Sequence, residues 1–579
     1  MKLSGFFALS LLGSTAALAD NFVLSDSITE GSITSDTTKP SVYQAVGKDG
    51  QGTVTITDNI TKYQAIYVRE GELLIGNPDK KITVTINPAY SGTPASPYLP
   101  MMVVGGKNTG NEYATVTFNN AQLTSGMEAT VIIGSADGNG AMVIDNKSVV
   151  CLDGHSQTTI IGEKKGGSLS STTVDANGNQ YMGSYSPAAN GSGVEFGRGV
   201  VTVKGESTFN TGYNQFLMSE GELNVIGKNT QVNIGGYGSE SRAFLAYDAN
   251  STSTINVQDG AKVNVRSAQF YTGYYGADNS TININVDGQG SAFTVDATTA
   301  AHPENSNPVV PTTTVFGMYS GYAAGSSPIK SNTAINVANG GTMEILSNMI
   351  FFGYGKQSEG SSVTVNIDDE SFFNSKMAYM YDGAKIDNKG TAKLEYLYML
   401  GGEVYNTGTI TDLSGSDDLL YITAGYVSNK GTIETDIVLQ DGYVEGGEGS
   451  FFDQIHMKGG VLKVGGHITL NGTFFGEGGE LVFTEGSAMN MNNQALTLGN
   501  VSLVFELDYE VSDDMVFSID DLFVNVGASD LTEDTVLTIK GANNTSTQRT
   551  LGSVTIPEPT TATLSLLALV GLAARRRRK

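Results

Sequence analysis

Ile255-Asn-Val-Gln-Asp-Gly-Ala-Lys-Val-Asn-Val265 contains two short runs in which apolar and polar residues alternate, separated by Asp259-Gly260. Alternation at a period of two is typical of a β-strand with one buried face. An Asp-Gly pair favours a tight turn, because glycine adopts positive φ without steric cost. The stretch therefore predicts two strands joined by a turn, with the isoleucine and the valines on the buried face.

The same pattern returns 80 positions later in the chain. Ile335-Asn-Val337, Asn339-Gly340 and Met343-Glu-Ile345 follow one another in the same order. At the same offset, Phe270-Tyr-Thr-Gly-Tyr274 matches Ile350-Phe-Phe-Gly-Tyr354. Self-similarity at a fixed offset indicates a repeat architecture.

Shorter repeats follow downstream. Val404-Tyr-Asn-Thr-Gly-Thr-Ile410 recurs as Val427-Ser-Asn-Lys-Gly-Thr-Ile433, and Gly460-Val-Leu-Lys-Val464 recurs as Gly479-Glu-Leu-Val-Phe483. A repeat of about 20 residues has the size of one coil of a parallel β-helix. Stacked coils pair every strand above and below, and their inward apolar side chains form a continuous core. The predicted fold class is all-β, a parallel β-helix or solenoid, with short helices only in the two terminal segments.

Composition and turn signals divide the chain into segments. Residues 54–500 are predicted to form the solenoid, because no long stretch there shows helical periodicity. Proline clusters predict protruding loops near 88–100 and 300–314. The remaining predicted segments are an N-terminal cap or lead-in at 20–53, C-terminal cap strands at 501–540 and a polar stalk at 541–555.

Rungs rich in Ser and Thr, such as Ser253-Thr-Ile-Asn-Val-Gln-Asp-Gly-Ala261, recur between Val54 and Phe483. In these rungs the body resembles the passenger-like β-helical repeats of bacterial surface and autotransporter proteins. The resemblance is one of composition. It implies a β-helical body presented at a bacterial surface.

Residues 1–19 predict a secretory signal peptide. Met1-Lys2 is a basic start, Leu3 to Gly13 is apolar, and Ala17-Leu18-Ala19 is a small-x-small cleavage site. Signal peptidase is therefore an expected partner, with Ala17 and Ala19 at its cleavage site. The prediction places the body outside the cytoplasm.

The C-terminal segment has three parts in order. Pro557-Glu558-Pro559 precedes an uncharged apolar run, Thr561 to Ala574, which is followed by Arg575, Arg576, Arg577, Arg578 and Lys579. The prolines lack amide donors, so no helix continues into the run from upstream. The run is compatible with a membrane helix whose basic end stays in the cytoplasm. Such a segment is a targeting signal rather than part of a folded core.

Residues 556–579 resemble the PEP-CTERM sorting signal of Gram-negative bacteria. The resemblance rests on Pro557-Glu558-Pro559, the apolar run and Arg575 to Arg578. It implies recognition by an exosortase-like enzyme, with membrane attachment through the C-terminal segment until processing near the Pro-Glu-Pro motif. It also implies transfer of the body to the cell surface or to an extracellular polysaccharide matrix.

The composition limits the possible partners. The net charge is −26, and an acidic surface repels nucleic acid, so no nucleic-acid partner is expected. Cys151 is the single cysteine, which leaves no intramolecular disulfide. Stability is therefore expected to come from backbone pairing and side-chain stacking.

No residue pattern predicts a catalytic or metal site, and no cofactor is expected. Adjacent carboxylates such as Asp368-Asp369 and Asp520-Asp521 would point to opposite faces of a strand, which suits glycoside cleavage poorly. The four histidines lack zinc-ligand spacing. Asp137-Gly-Asn-Gly140 and Asp175-Ala-Asn-Gly-Asn179 offer oxygen donors for calcium, but ordinary turns explain both segments.

Tyrosines recur along the predicted coils, and stacking on one another is their expected role, with sugar contact as the alternative. They include Tyr271, Tyr274, Tyr354, Tyr379, Tyr381, Tyr396, Tyr398 and Tyr405. The expected function is that of a non-enzymatic, exported surface or matrix protein with a structural or adhesive role, in contact with polysaccharide or other envelope components. The alternatives are a polysaccharide-degrading β-helix enzyme and an adhesin specific for a glycan or a receptor.

Overall fold

A computed structural model describes residues 45–551 with internal gaps. The gaps are 49–50, 64, 69, 87–99, 106–111, 126–129, 135–137, 153–157, 165–167, 170–172, 175–179, 182–184, 187–195, 212–214, 236–240, 274–277, 297–312, 319–327, 356–357, 414–418 and 511–518. The chain divides into two compact units, Met1–Glu395 and Tyr396–Lys579. We call them the first and second units.

The first unit is built from short strands. They are β1 (Ala45–Lys48), β2 (Thr53–Ile56), β3 (Ile60–Tyr63), β4 (Ala65–Val68), β5 (Glu72–Gly76), β6 (Ile82–Ile86), β7 (Pro100–Val104), β8 (Ala114–Asn119), β9 (Ala121–Ser125), β10 (Thr130–Ile133), β11 (Gly140–Asp145), β12 (Val149–Leu152), β13 (Thr158–Ile161), β14 (Glu163–Lys164), β15 (Ser168–Leu169), β16 (Thr173–Val174), β17 (Gln180–Tyr181), β18 (Tyr185–Ser186), β19 (Phe196–Gly197), β20 (Gly199–Val203), β21 (Thr208–Asn210), β22 (Gln215–Met218), β23 (Gly221–Ile226), β24 (Gln231–Ile234), β25 (Arg242–Leu245), β26 (Thr252–Gln258), β27 (Lys262–Val265), β28 (Gln269–Thr272), β29 (Ser280–Asp287), β30 (Ala292–Val295), β31 (Thr313–Met318), β32 (Ser331–Ala338), β33 (Thr342–Ile345), β34 (Met349–Tyr354), β35 (Ser362–Ile367), β36 (Phe372–Met380) and β37 (Ala384–Asn388).

Three parallel sheets run through the first unit, and each coil adds one strand to each sheet. The first sheet has the order β2-β5-β8-β11-β20-β23-β26-β29-β32-β35-β37. The second has the order β3-β6-β9-β12-β21-β24-β27-β30-β33-β36. The third has the order β1-β4-β7-β10-β13-β22-β25-β28-β31-β34-β36. The predicted parallel β-helix is confirmed.

The second unit repeats this plan with shorter coils. Its elements are β38 (Thr391–Asn406), β39 (Thr409–Asp412), β40 (Leu419–Asn429), β41 (Thr432–Ile433), β42 (Asp436–Leu439), β43 (Tyr443–Gly446), β44 (Phe451–Phe452), β45 (Ile455–Met457), β46 (Val461–Val464), β47 (His467–Leu470), β48 (Phe474–Gly476), β49 (Glu480–Thr484), β50 (Ala488–Asn490), β51 (Leu496–Thr497), β52 (Ser502–Glu506), α1 (Ile519–Leu522), β53 (Phe523–Val524), β54 (Val536–Lys540), the 3₁₀ turn η1 (Ala542–Asn544) and β55 (Ser546–Thr550).

The sheets of the second unit are also parallel. The first sheet has the order β38-β40-β43-β46-β49-β52-β54. The second has the order β39-β41-β44-β47-β50-β53, and the third has the order β38-β40-β42-β45-β48-β51. Val427, Val444 and Leu462 occupy one buried column on consecutive coils. The predicted coil of about 20 residues is therefore confirmed in this unit.

The register explains the offset of 80 residues. Ile255 pairs with Ile284, and Ile284 pairs with Ile335, so the two copies lie two coils apart. All three side chains are fully buried. The alternating pattern places these apolar side chains inside the coil and their polar neighbours outside.

Outward asparagines form a ladder on the first sheet of the first unit. The side-chain amide of each member donates to the side-chain oxygen of the asparagine one coil earlier, at 2.7–2.9 Å. The members are Asn224, Asn256, Asn285, Asn336 and Asn366. The ladder begins where Asn224 donates to Glu222 on its own strand, at 3.0 Å. Asparagine also occupies turns with positive φ, as at Asn339 (φ 53°) before Gly340 (φ 81°).

A hairpin ends the described part of the second unit. β55 pairs with β54 in antiparallel register, with Val536 opposite Thr550 and Lys540 opposite Ser546. The predicted stalk at 541–555 is therefore wrong for residues 541–551, which fold back onto the last parallel strand. Within the predicted cap at 501–540, strands β52 and β54 continue the parallel sheet. The edge of the sheet is covered by β55, which lies after this segment. Polar composition suggested a stalk, but an edge strand can also be polar because one of its faces meets water.

Several predicted segments lie outside the described residues. They are the signal peptide at 1–19, most of the lead-in at 20–53, most of the loops near 88–100 and 300–314, and the sorting signal at 556–579. Strands begin at Pro100 and Thr313, directly after the two loop gaps. Among the described residues, no helix has the length and apolar character needed to span a membrane.

Candidate functional site

The outer face of the first sheet in the second unit brings together interacting polar and aromatic side chains. Inward residues of its strands, such as Val444 and Leu462, are fully buried, so the alternate residues point outward. Strand register aligns these outward residues in two columns. The tyrosine column contains Glu403, Tyr426, Tyr443, Val461 and Glu480, and the lysine column contains Tyr405, Ser428, Glu445, Lys463, Val482 and Val504.

Three tyrosine rings pack against one another on this face. The ring centroids of Tyr426 and Tyr443 are 5.5 Å apart with an interplanar angle of 26°. Tyr405 meets Tyr426 at 5.7 Å and 60°. Centroid distances of this size are favourable aromatic contacts and follow from the spacing of about 4.8 Å between strands. The stacking expected from the sequence is present between these rings.

Carboxylates fix the tyrosine hydroxyls. Tyr426 donates its hydroxyl to Glu445 Oε2 at 2.7 Å, and Tyr405 donates to Glu403 Oε2 at 3.0 Å. Burial raises the pKa of Tyr426, and the hydrogen bond to Glu445 adds to the increase, because both oppose the formation of a phenolate. Burial also raises the pKa of Tyr443, although the positive charge of Lys463 acts against it. These tyrosines therefore remain neutral hydrogen-bonding groups at neutral pH.

Two ion pairs run diagonally across this face between strands β46 and β54. Lys463 Nζ lies 3.1 Å from Glu506 Oε2, and Lys540 Nζ lies 3.2 Å from Glu480 Oε2. The register places two outward valines between the partners, and these valines are almost fully buried, Val482 at 3% exposed and Val504 at 1%. The lysine stems thus serve as an apolar cover while their ammonium groups reach the carboxylates.

The charges around Lys463 favour its protonated form. Its burial lowers the pKa, but the hydrogen bond to Glu506 and the neighbouring charges of Tyr443, Glu506 and Glu445 outweigh this effect, so the pKa is raised overall. Lys463 is consequently a fixed positive charge rather than a proton acceptor.

A gap interrupts the tyrosine column. Val461 follows Tyr443 in the column, and Glu480 follows Val461. Valine is far smaller than tyrosine, so one face of the Tyr443 ring is not covered by an aromatic neighbour on the next coil. The separation of two coils is about 9.6 Å. Half-buried Val461 therefore lies between Tyr443 and Glu480 in the column, at a position that we call the Val461 recess. The Glu480 carboxylate pairs with Lys540, which lies two coils farther from Tyr443.

The carboxylates around this recess are engaged by neighbouring side chains. Glu445 accepts a tyrosine hydroxyl, while Glu480 and Glu506 each pair with a lysine. A hydrolytic pair would need one carboxyl group that keeps its proton and a second that is free to act as a base. Among the described carboxyl groups, that of Asp453 has a raised pKa, because of its burial and, to a smaller extent, the negative charge of Glu434. Asp453 directly follows β44 of the second sheet and is not on this face. Within the described ranges, no group of three metal-ligating side chains comes together.

A second aromatic group lies in the first unit. The rings of Phe351 and Tyr379 stack at 5.4 Å and 19°, Phe351 meets Tyr354 at 5.0 Å, and Tyr354 meets Tyr381 at 6.0 Å. Burial raises the pKa of Tyr381, with smaller effects from Tyr354 and Tyr379. These rings cover one another, and no described charged pair frames an open ring face beside them.

The other candidates from the sequence have structural roles or lie outside the described residues. Asp368 accepts the backbone N–H of Asn339 at 2.7 Å and the hydroxyl of Ser371, so it stabilises turns. Half-buried Cys151 accepts a weak hydrogen bond from Asn210 at 3.4 Å. Ala17, Ala19, Pro557, Glu558, Pro559 and Arg575 to Arg578 lie outside the described residues, as do Asp137 and the whole of the second calcium candidate, 175–179. Asn139 of the first candidate is buried, and its side-chain oxygen accepts the backbone N–H of Arg198 at 3.0 Å.

Sequence reasoning named Tyr405 but missed the rest of this face. Lys463, Glu480, Glu506 and Lys540 carry no motif of their own. The signal that could have found two of them was the repeat of Gly460-Val-Leu-Lys-Val464 as Gly479-Glu-Leu-Val-Phe483, which aligns Val461 with Glu480 and Lys463 with Val482.

Comparison with protein-family models, with curated proteins and with solved structures finds no match for this chain. Its function is therefore inferred from the geometry of the residues themselves.

Proposed function

We propose that this chain is an exported surface or matrix protein of a Gram-negative bacterium, with a structural or adhesive role. The support for export is the signal-like segment at 1–19, and the support for sorting is the resemblance of 556–579 to the PEP-CTERM signal. Signal peptidase and an exosortase-like enzyme would process the chain. The C-terminal segment would hold the body in the membrane until that processing.

The observation that supports a non-catalytic role is the outer face of the second unit. Its carboxylates, Glu445, Glu480 and Glu506, are each engaged by a tyrosine or a lysine. Its side chains are held from coil to coil by rigid strands, which suits repeated contact with a partner. A surface of this kind favours adhesion over bond cleavage.

The second candidate function is that of a specific adhesin, and the Val461 recess favours it. A partly exposed aromatic ring beside charged and hydrogen-bonding groups is the kind of feature that gives specificity in binding sites. A polysaccharide-degrading enzyme is the alternative from a different functional class. Incubation of the purified protein with a panel of polysaccharides would reveal it: turnover that disappears on Glu480→Gln or Glu445→Gln would contradict the proposal.

The sorting part of the proposal is tested in cells of a bacterium that has an exosortase. Replacing Pro557, Glu558 and Pro559 by Ala should leave unprocessed protein in the membrane fraction, because the recognition motif is lost. The matched control is Thr560→Ala with Thr561→Ala, which changes the same segment but keeps the motif. Normal processing and normal surface display of the triple variant would refute the sorting role.

A further inference from the structure

We propose that the outer face of the first sheet in the first unit binds extended, uncharged polysaccharide chains through hydrogen bonds. The proposal rests on the adhesive role proposed above and names the class of ligand. The surface consists of the outward side chains of 252–256, 281–285, 332–336 and 362–366, which lie on β26, β29, β32 and β35. We call this surface the asparagine face.

The asparagine ladder leaves a donor and an acceptor for a ligand on each coil of this face. Asn285 donates one amide hydrogen to Asn256 at 2.8 Å and accepts one from Asn336 at 2.9 Å. A side-chain amide has two hydrogens and two lone pairs. Because the amide is planar and its ladder bonds run from coil to coil, the second hydrogen and the second lone pair point away from the sheet. These groups repeat at about 4.8 Å.

The face is regular and open to solvent. The register between its four strands runs residue by residue without a shift. Thr252, Thr281 and Asn366 are exposed, and the other outward side chains of the face are partly exposed. All of them are short, so none extends far above its neighbours. A long, extended ligand can therefore lie along the ladder and contact several coils at once.

The composition of the face favours a ligand rich in hydroxyl or amide groups. Three outward positions on each of four coils give twelve residues, and none of them is charged, although the chain has 59 acidic and 33 basic residues. Depletion of charge is typical of the centre of a binding surface. Protein-binding surfaces are also enriched in aromatic residues, Met and Arg, whereas the one apolar residue of this face is Ala334. Hydrogen bonding is therefore the chemistry that the face offers.

An uncharged polysaccharide meets these requirements. Each sugar hydroxyl can donate and accept a hydrogen bond, as the outward amide groups require. In an extended β-1,4-linked glycan the advance per sugar is close to the spacing of the coils, so successive sugars meet equivalent groups on successive coils. The net charge of −26 repels uronic acids and sulfated sugars.

The experiment measures retention of the purified full chain on insoluble polysaccharides. Cellulose and chitin are the neutral probes, and they differ in the N-acetyl group. Cross-linked carboxymethyl cellulose is the anionic probe, and chitosan at pH 6 is the cationic probe. The chain should be retained on at least one neutral probe, equally at about 0.05 and 0.5 M salt, because the contact involves no ion pair.

Ala334→Glu is the decisive variant. It places a long charged side chain on the face without removing a ladder bond, and it should weaken retention at least about tenfold, because the carboxylate would lose water on binding. Ala292→Glu is the matched control. Ala292 is also partly exposed and faces outward, but it lies on the second sheet, in register with Lys262 and Thr342. The control should be retained as the parent protein is.

The double variant Asn285→Ala with Asn336→Ala tests the ladder itself. It should weaken retention on the neutral probe about tenfold, because two outward donors and two outward acceptors are lost. Its thermal transition shows whether the chain is folded. If this variant does not fold, Ala334→Glu alone decides the question, since its ladder is intact.

Four outcomes would overturn the inference. They are a lack of retention on both neutral probes, undiminished retention of Ala334→Glu, an equal loss in Ala292→Glu, and retention on a charged probe alone. A parent dimer that Ala334→Glu converts to monomer, without retention on a neutral probe, would assign the face to contact between copies instead. The assay does not depend on sorting. Failed retention with normal surface display would reject the ligand and keep the structural role, while a failed sorting test would leave the retention result standing.

Discussion

Tyr443 and Glu480 occupy the same outer column two coils apart, with Val461 between them. The aromatic stacking that joins Tyr405, Tyr426 and Tyr443 stops at this point, and ion pairs take over on the following coils. The face thus changes from aromatic to charged across a single small residue. This change of character is the structural basis of the proposed contact site.

The tyrosines and the lysine of this face predict a loss of stability in alkali. Tyr426, Tyr443 and Lys463 all have raised pKa values in the folded chain. The unfolded chain then loses these protons first, so their stabilising contribution is complete below pH 10 and declines as the pH rises above the unfolded values near 10. Urea unfolding at pH 8, 10 and 11 measures the effect. Tyr426→Phe with Tyr443→Phe should flatten the decline, and an unchanged pH dependence in this variant would contradict the assignment.

Gly162 is predicted to tolerate no side chain. Its φ is +75°, and a Cβ atom there would lie 2.1 Å from the backbone oxygen of Glu220. Gly162→Ala should destabilise the first unit by several kcal/mol, because neither backbone can move without breaking the ladder. Gly227 is the matched control: its φ is +96°, but a Cβ atom there would lie 3.9 Å from its nearest neighbour, Thr230 Oγ1. Gly227→Ala should cost about 1 kcal/mol. Equal losses in thermal unfolding would show that the close approach is unimportant.

The asparagine ladder predicts a difference between its middle and its end. Asn285 donates to Asn256 at 2.8 Å and accepts from Asn336 at 2.9 Å, while Asn366 has one ladder bond, to Asn336 at 2.7 Å. Asn285→Ala should therefore cost about 1–2 kcal/mol and Asn366→Ala about half as much. Denaturant midpoints of the two variants compare them directly. A larger loss from Asn366→Ala would argue against a ladder in which each bond contributes.

The C-terminal hairpin is predicted to protect the sheet edge. Without β55, the strand β54 would offer its backbone groups to other chains, which is a recognised route to aggregation. A chain that ends at residue 555 should stay dispersed, whereas one that ends at residue 540 should form larger species. Light scattering during a slow temperature ramp distinguishes the two. Identical behaviour would mean that another part of the chain covers this edge.

The fold could be predicted from the sequence because the alternation of apolar and polar residues and the length of the repeat are local properties of the chain. Around Ile255-Asn-Val257, apolar and polar residues alternate as they do in a strand with one buried face. The step from Gly460 to Gly479 corresponds to one coil. The turn asparagines and glycines were readable for the same reason, since positive φ at Asn339 and Gly340 depends on the residues themselves.

The candidate site could be predicted only in part from the sequence. Tyr405 stood out as one of a set of tyrosines, but Lys463, Glu480, Glu506 and Lys540 are ordinary surface residues in the sequence. Their pairing depends on which coil each occupies, and the coils differ in length. Hydrogen-bonded neighbours in the asparagine ladder are 29 to 51 residues apart in the first unit, whereas Tyr426 and Glu445 are 19 residues apart in the second. The closing hairpin was missed for a related reason, because polar strands and polar linkers have similar compositions.

The sequence by itself determined that this chain forms stacked β-coils, which residues face the core, and where the turns bend, because each of these follows from periodicities of two residues and of one coil. Only the tertiary structure decided which outward residues meet. Contacts such as those of Lys463 with Glu506 and of Tyr426 with Glu445 join residues that are distant in the chain and adjacent in register, and the register depends on the lengths of all the intervening turns. The tyrosine stack ends at Tyr443 because that register places a valine, and not another tyrosine, on the next coil.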